Sequence, residues 1–233
     1  MTAMHAWRTP FETDWAGSLR TPNLDLKAAF VCVLLQHEDD PRIVHDANAA
    51  PDAHALIARA VAAANTIAPD CEVVAVLPGR VTEAQMGVKQ LAGRHAHRVR
   101  LAPLGCAAAI AATASVTITI NHAMATVALL AGAPVVHLGR ALYELPGVTT
   151  HTSLEDLPEA VRAAQTTNRP ALRQRFLTFL LQHGHVWCSQ TAANHNGMLG
   201  LVQAVEQCLL GDAECNTRPL PYRPGPTWPL AMQ

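Results

Sequence analysis

From residue 27 onward, short apolar runs alternate with helical patterns, and Gly, Pro and polar residues punctuate the joins. Residues 28–35 (AAFVCVLL) are continuously apolar and rich in β formers, as in a strand buried on both faces. A polar loop over 36–50 follows. Pro51-Asp52 then opens an alanine-rich helix reaching about Ile67, with Pro69 beyond its end. The alternation continues with a strand over 72–77 stopped by Pro78-Gly79, a helix over 82–91 closed by Gly93, and a short strand over 97–101. After these come a helix over 103–112, a β-branched strand over 116–120, a helix over 123–130 ended by Gly132, and a strand over 134–138. Past Gly147 the pattern becomes helical: 153–164, opened by Ser153 with Asp156 three residues on, then 170–183 and 192–210.

Strands and helices alternating over short connections predict parallel strands with right-handed crossovers. The expected fold class is α/β, a Rossmann-like doubly wound, mostly parallel sheet with C-terminal helices. Ligands of such sheets bind beyond the carboxyl ends of the strands, which draws attention to the loops after Leu35, Leu77 and Ile120. Residues 1–26 carry no period and are expected to form an N-terminal arm. Residues 27–211 are the expected domain, and 212–233 a Pro-rich tail.

Composition narrows the field. Half of the 233 residues are hydrophobic and 15% are charged, enough apolar material for a large core and too little charge for disorder. The formal net charge of -1 supplies no field to draw nucleic acid. No uninterrupted apolar run is long enough to span a bilayer, and the first ten residues lack the apolar core of a signal peptide, so a cytoplasmic location is expected. The six cysteines form no CxxC pair and read as reduced thiols. Twelve histidines include the i, i+2 pairs His95/His97 and His183/His185. Neither has the neighbouring Cys or carboxylate that would complete a zinc set, and no metal is expected. No Gly-x-Gly-x-x-Gly follows the first strand, and there is no Walker A loop or Gly-x-Ser-x-Gly elbow.

The turn Asn121-His122-Ala123 lies where a strand hands over to a helix. Exposed amides at such a helix start can hold a phosphate, and a plain turn capped by Asn121 is the structural alternative. Beyond it runs Gly132-Ala133-Pro134-Val135, then Leu138-Gly139-Arg140-Ala141-Leu142-Tyr143-Glu144-Leu145-Pro146-Gly147-Val148-Thr149. This ordered string resembles the capsule polysaccharide biosynthesis/export family, whose Kdo-transferring members carry Asn-Ser-Thr, Gly-x-Pro-Val and Leu-Gly-x-Ala-x-Tyr-x-x-Pro-Gly-Leu-Thr. Leu35-Gln36-His37-Glu38-Asp39-Asp40-Pro41-Arg42-Ile43 is similar to the family's strand ending in Leu-Gln with an acidic stretch after it, and His183-Gly184-His185-Val186-Trp187 to its Asn-Gly-aromatic stretch.

The resemblance covers residues 28–187. It implies the nucleotide-sugar-binding half of a GT-B glycosyltransferase, with a CMP-linked, Kdo-like sugar as donor substrate, no separate cofactor, and a glycolipid or oligosaccharide as acceptor. Gln36 and Asp40 would line the crevice, with Asp40 and Glu38 as the candidate catalytic carboxylates. Asn121, His122 and the amide of Ala123 would hold phosphate, and Gly139 and Tyr143 would shape the sugar or base pocket. The family's His-Pro after the second strand is replaced by Leu77-Pro78-Gly79-Arg80, so Arg80 would supply the positive charge. The acceptor-side domain would come from a separate chain or a second copy in a homodimer, with the complex cytoplasmic or peripheral at the inner membrane. The alternative is a non-catalytic binding or assembly subunit of a polysaccharide biosynthesis/export complex.

Overall fold

The computed structural model describes residues 29–46, 51–78, 88–90, 92–93, 97–167 and 169–183. Helix α1 (Pro41–Asp46) follows strand β1 (Phe30–Leu34), and α2 (Ala53–Ala64) leads into β2 (Glu72–Val76). Strand β3 (Val99–Ala102), a 3-10 turn (Leu104–Cys106), α3 (Ala107–Thr113) and β4 (Val116–Thr119) come next. The order ends with α4 (Ala125–Ala131), β5 (Val135–His137), β6 (Thr150–His151), α5 (Leu157–Thr166) and α6 (Pro170–His183). The chain divides into Met1–Arg173, which carries the sheet, and Gln174–Gln233, of which the remainder of α6 is described. The expected arm, the tail and the helix over 192–210 lie outside the described residues.

All pairings in the sheet are parallel, in the order β3-β2-β1-β4-β5-β6. The α/β, Rossmann-like reading therefore holds. The order reverses between β1 and β4, so the carboxyl ends of these two strands diverge into the crevice where such sheets take ligands.

Burial follows the two-residue period of a strand. Val31, Val33 and Leu35 join Val73, Ala75, Val116, Ile118 and Val136 in one core with Leu56 and Ile57 of α2 and Leu157 and Val161 of α5. Alternate positions, among them Cys32, Leu34, Val74 and Thr117, are also buried, as are Ile110 of α3 and Ala128 and Leu129 of α4. Both faces are covered, which explains the unbroken apolar runs. Burial pushes the Cys32 thiol up to about 12, so it stays protonated and inert.

Local chemistry sets the boundaries. The Asp52 carboxylate accepts the Ala55 N–H at 2.6 Å and starts α2. Ser153 accepts the Asp156 N–H at 3.2 Å, but this bond closes a turn and α5 begins only at Leu157. Two elements differ from expectation. Pro41–Asp46 is helical where a loop was expected, and Thr150–His151 adds a sixth, edge strand.

Gly132 closes α4 in the left-handed region at φ 94, its N–H donating to the Ala128 and Leu129 carbonyls. Gly147 lies at φ 84, and a Cβ there would come within 3.1 Å of Leu172 Cδ2 and 3.2 Å of Arg169 Cδ. Replacing either glycine by alanine is expected to lower unfolding stability by about 1–2 kcal/mol from the backbone alone. Gly147→Ala loses more because of the clash, and urea denaturation of the two variants checks the ranking.

Candidate functional site at the switch between β1 and β4

Gln36 stands two residues past β1 and Asn121 two past β4, and the structure ties them together. Asn121 N–H donates to Gln36 Oε1 at 3.0 Å, and Gln36 Nε2–H returns a bond to Asn121 Oδ1 at 2.8 Å. This reciprocal pair works like a rung of backbone ladder made by a side chain, and it sets the width of the crevice floor. Asn121 Nδ2–H reaches across to the Arg42 carbonyl at 2.7 Å, fastening α1 to the same point. Asn121 is buried, so each of these bonds replaces hydration that the side chain has lost.

Asp40 and Arg42 form the acidic and basic rim. Arg42 Nη2–H donates to Asp40 Oδ2 at 2.7 Å, and the Arg42 Nε–H and backbone N–H both reach Asp40 Oδ1 at 3.0 Å. Hydrogen bonding to Arg42 holds the Asp40 carboxyl down at about 2, and the same pairing raises the Arg42 guanidinium. Asp40 is thus a carboxylate across the physiological range. A general base works best with a pKa nearer neutrality, so a base role would require Asp40 to be released from Arg42. Glu38 is exposed beside it.

The turn after β4 departs from a bare anion-binding helix start. The Asn121 amide is taken by Gln36. The His122 amide donates to Thr119 Oγ1 at 3.0 Å, and the Met124 amide to His122 Nδ1 at 3.0 Å. In this stretch the Ala123 amide is the one for which the described residues supply no acceptor. The helix itself begins at Ala125 and has seven residues. A phosphate here would meet side chains more than amides.

His122 is the side chain best placed for that. Its Nδ1 accepts a backbone N–H, so the ring proton resides on Nε2 when the ring is neutral. Burial, reinforced by the Arg42 charge, lowers its pKa and keeps it neutral at pH 7. The result is an oriented N–H donor close to a guanidinium, with its tautomer fixed by the backbone.

Tyr143 and Gly139 frame this arrangement from behind. Tyr143 is 2% exposed, and its hydroxyl donates to the His122 carbonyl at 3.1 Å. Burial raises its pKa well above the ordinary tyrosine value. Its ring meets His137 edge-on at 5.7 Å between centroids. Gly139, also buried, donates its N–H to the Ile120 carbonyl at 2.9 Å and accepts from His137 Nδ1 at 2.8 Å. Both residues sit beneath the turn and brace it. Neither presents a free surface for a sugar or base.

Gln36, Asp40, Asn121 and His122 therefore converge, with Gly139 and Tyr143 as support. Arg80 lies outside the described residues, as do His95 and His185. Arg42 and Thr119 belong to the site although nothing in the sequence singled them out. The usable signal was Arg42 two positions after Asp40, and two threonines, Thr117 and Thr119, alternating with Val116 and Ile118 in a buried strand. Among the described residues no group of three or more His, Cys, Asp or Glu side chains is placed to hold a metal ion, and no helix is long and apolar enough to cross a membrane.

Comparison with known proteins adds an independent line. A family model described as capsule polysaccharide biosynthesis protein matches residues 8–187, so the similarity reaches back into the stretch expected to be a separate arm. No curated protein matches. Among solved structures, the Thermosulfurimonas dismutans KpsC β-Kdo 2,7 transferase is similar over 69% of this chain and 56% of its own, at 18% identity and a TM-score of 0.39. A mutant of S. aureus TarM, solved in complex with UDP, is similar over 69% of this chain and 33% of its own, at 9% identity and a TM-score of 0.44. The glycotransferase of kitacinnamycin is similar over 67% and 40%, at 18% identity and a TM-score of 0.37. The chain thus spans between a third and just over half of these solved proteins.

Proposed function

The chain belongs to the capsule polysaccharide biosynthesis protein family, and from this premise we propose that it holds a nucleotide-activated sugar at the β1–β4 crevice for transfer to a glycolipid or oligosaccharide acceptor. In this reading the domain is one half of a GT-B-type glycosyltransferase and the donor is CMP-linked and Kdo-like. The observation that carries it is the reciprocal Gln36–Asn121 pair. It joins the two strand ends at the switch point, next to His122 in the chain and fastened to the Arg42 backbone by Asn121.

Residue roles follow from the geometry. His122 donates a neutral hydrogen bond to a phosphate oxygen, and Arg42 supplies charge once a phosphate competes with Asp40 for its guanidinium. Gln36 and Asn121 are positioning residues, since their polar atoms are spent on each other and on Arg42. Asp40 returns Arg42 to place when the site empties. Glu38, exposed at the rim, is the carboxylate free to face an acceptor hydroxyl, and the acceptor wall comes from a separate chain or a second copy.

The test is binding of CMP to the purified chain. CMP is expected to raise Tm, and His122→Ala is expected to weaken binding. The pH dependence tests the protonation state of the ring. A proton on Nδ1 would displace the bond from the Met124 amide, and burial lowers the pKa of the ring, so His122 acts as a neutral donor. The affinity ratio of the original protein to His122→Ala should therefore stay constant between pH 8 and 7, the titration of CMP itself being common to both. A ratio that climbs as pH falls would contradict the neutral donor, and equal affinities in the two proteins would remove His122 from the site. No Tm shift at millimolar CMP would remove the donor site altogether.

A second reading, a binding or assembly subunit without catalysis, is favoured by the tight Asp40–Arg42 pair. It predicts CMP binding without sugar transfer to any acceptor, even when a partner chain carrying an acceptor domain is supplied.

A further inference from the structure

A cavity lined by both apolar and charged side chains lies outside the crevice and shares none of its residues. Strand β6 pairs with β5 only at Val136 and His137, so the edge of β5 at Val135 is left to a pocket of about 380 Å³. This lies within the size range of small-molecule sites. The end of α5 and the start of α6 close it, and every lining residue falls within the Met1–Arg173 unit.

Its chemistry is unlike a packing defect. Arg169, just before α6, and Arg173, in its first turn, both line it, and among the described residues neither has a carboxylate partner. Arg173 spends Nη1–H on the Gly132 carbonyl at 2.9 Å, which anchors the guanidinium and leaves further donors. The Arg169 stem crosses Gly147 so closely that a Cβ would touch it, so the glycine makes room for this arginine. Glu144 and His151 also line it, joined at 3.4 Å, with His151 Nε2 spent on the Leu138 carbonyl at 3.2 Å, and apolar surface comes from Val135 and Pro146. One anchored guanidinium, a second exposed one, a carboxylate and apolar surface suit a body with hydroxyls, C–H faces and one negative group.

We propose that this pocket binds a small anionic saccharide, its carboxylate or phosphate held by Arg169 and Arg173 and its hydroxyls by Glu144. The site is independent of the nucleotide crevice and does not rest on the reading given for it. An anionic sugar unit held on the same domain as the crevice would let the protein sense or retain a charged glycan chain.

The test is isothermal titration of the full chain with glucuronate, glucose 1-phosphate, glucose and inorganic phosphate. One of the two anionic sugars should bind with a Kd of about a millimolar, tighter than glucose and tighter than inorganic phosphate. Glucuronate as the better ligand identifies a carboxylated sugar, and glucose 1-phosphate a phosphorylated one. Arg169→Gln, an exposed position that should leave the fold intact, should weaken binding at least tenfold. Arg175→Gln, exposed on α6 but outside the pocket, should not weaken it, and neither should His122→Ala. No heat with either anionic sugar, equal binding of glucose or inorganic phosphate, or equal loss in Arg175→Gln would overturn the proposal.

Discussion

Asn121→Ala is expected to lower both stability and nucleotide binding, with a greater loss of binding than any other single change at the crevice. The substitution leaves Gln36 Oε1 with its bond to the Asn121 amide and Gln36 Nε2–H with its longer bond to Asp40 Oδ2 at 3.4 Å, but removes the 2.8 Å acceptor for Gln36 Nε2–H and the donor to the Arg42 carbonyl. Each buried polar group left without a partner costs about 1–3 kcal/mol. With one donor withdrawn and one bond reduced to its longer alternative, a loss of about 1–3 kcal/mol follows. CMP binding should fall beyond detection, because α1 loses its tether and Arg42 is no longer held at the rim. Asn121→Asp separates the two effects. It keeps an acceptor for Gln36 Nε2–H but turns the donor toward the Arg42 carbonyl into a second acceptor, and it adds negative charge where a phosphate should sit. Denaturation and CMP titration of both variants check this. An Asn121→Ala protein as stable as the original would show that the clasp contributes nothing to the fold.

Tyr143 carries the second large effect. It is among the largest fully buried side chains, and removing a buried aromatic to alanine typically costs about 3–5 kcal/mol. We expect Tyr143→Ala to lose roughly that much. Tyr143→Phe keeps the ring and its edge-on contact with His137 and deletes only the bond to the His122 carbonyl, so about 1 kcal/mol is expected. The pair also tests the role of this residue. As a strut beneath the turn, Tyr143→Phe should change CMP affinity by no more than a few fold. A loss as large as that of His122→Ala would mean that the hydroxyl itself reaches the ligand.

These effects could be only partly foreseen from the sequence. Strands buried on both faces announce themselves, because every position is apolar. Residues 30–34 and 73–76 left little choice, and β4 was marked by its alternating Val, Thr and Ile. Helix α1 carries no clear sequence signal, because six residues make fewer than two turns and only Ile43 among its described side chains is buried. Strand β6 was missed because two residues, Thr150 and His151, carry no apolar run. They are strand only because β5 offers them an edge.

The candidate site divides the same way. Where Gln36 and Asn121 stand was legible, since strand ends in a parallel sheet gather at one side. What they do there was not. Their partnership spans 85 positions of chain, and no local pattern specifies it. From the sequence, the turn after β4 reads either as exposed amides or as a plain turn capped by Asn121. The actual acceptors are Gln36, Thr119 and the His122 ring, and side chains of three different kinds closing three amides leave no periodic trace. Tyr143 was taken for a pocket wall because it stands in a loop beside a strand end. Its burial comes from a bend of the chain at Gly139 that only tertiary structure reveals.

The central claim is that the crevice between the carboxyl ends of β1 and β4 takes a nucleotide's phosphate. The most direct measurement is an amide shift map of the labelled chain titrated with CMP. The account predicts the largest changes at Ala123, His122 and Arg42, with smaller ones at Gln36, and near silence at Arg98 and Arg100 near the far edge of the sheet. Changes centred anywhere else, or none at saturating CMP, would contradict it.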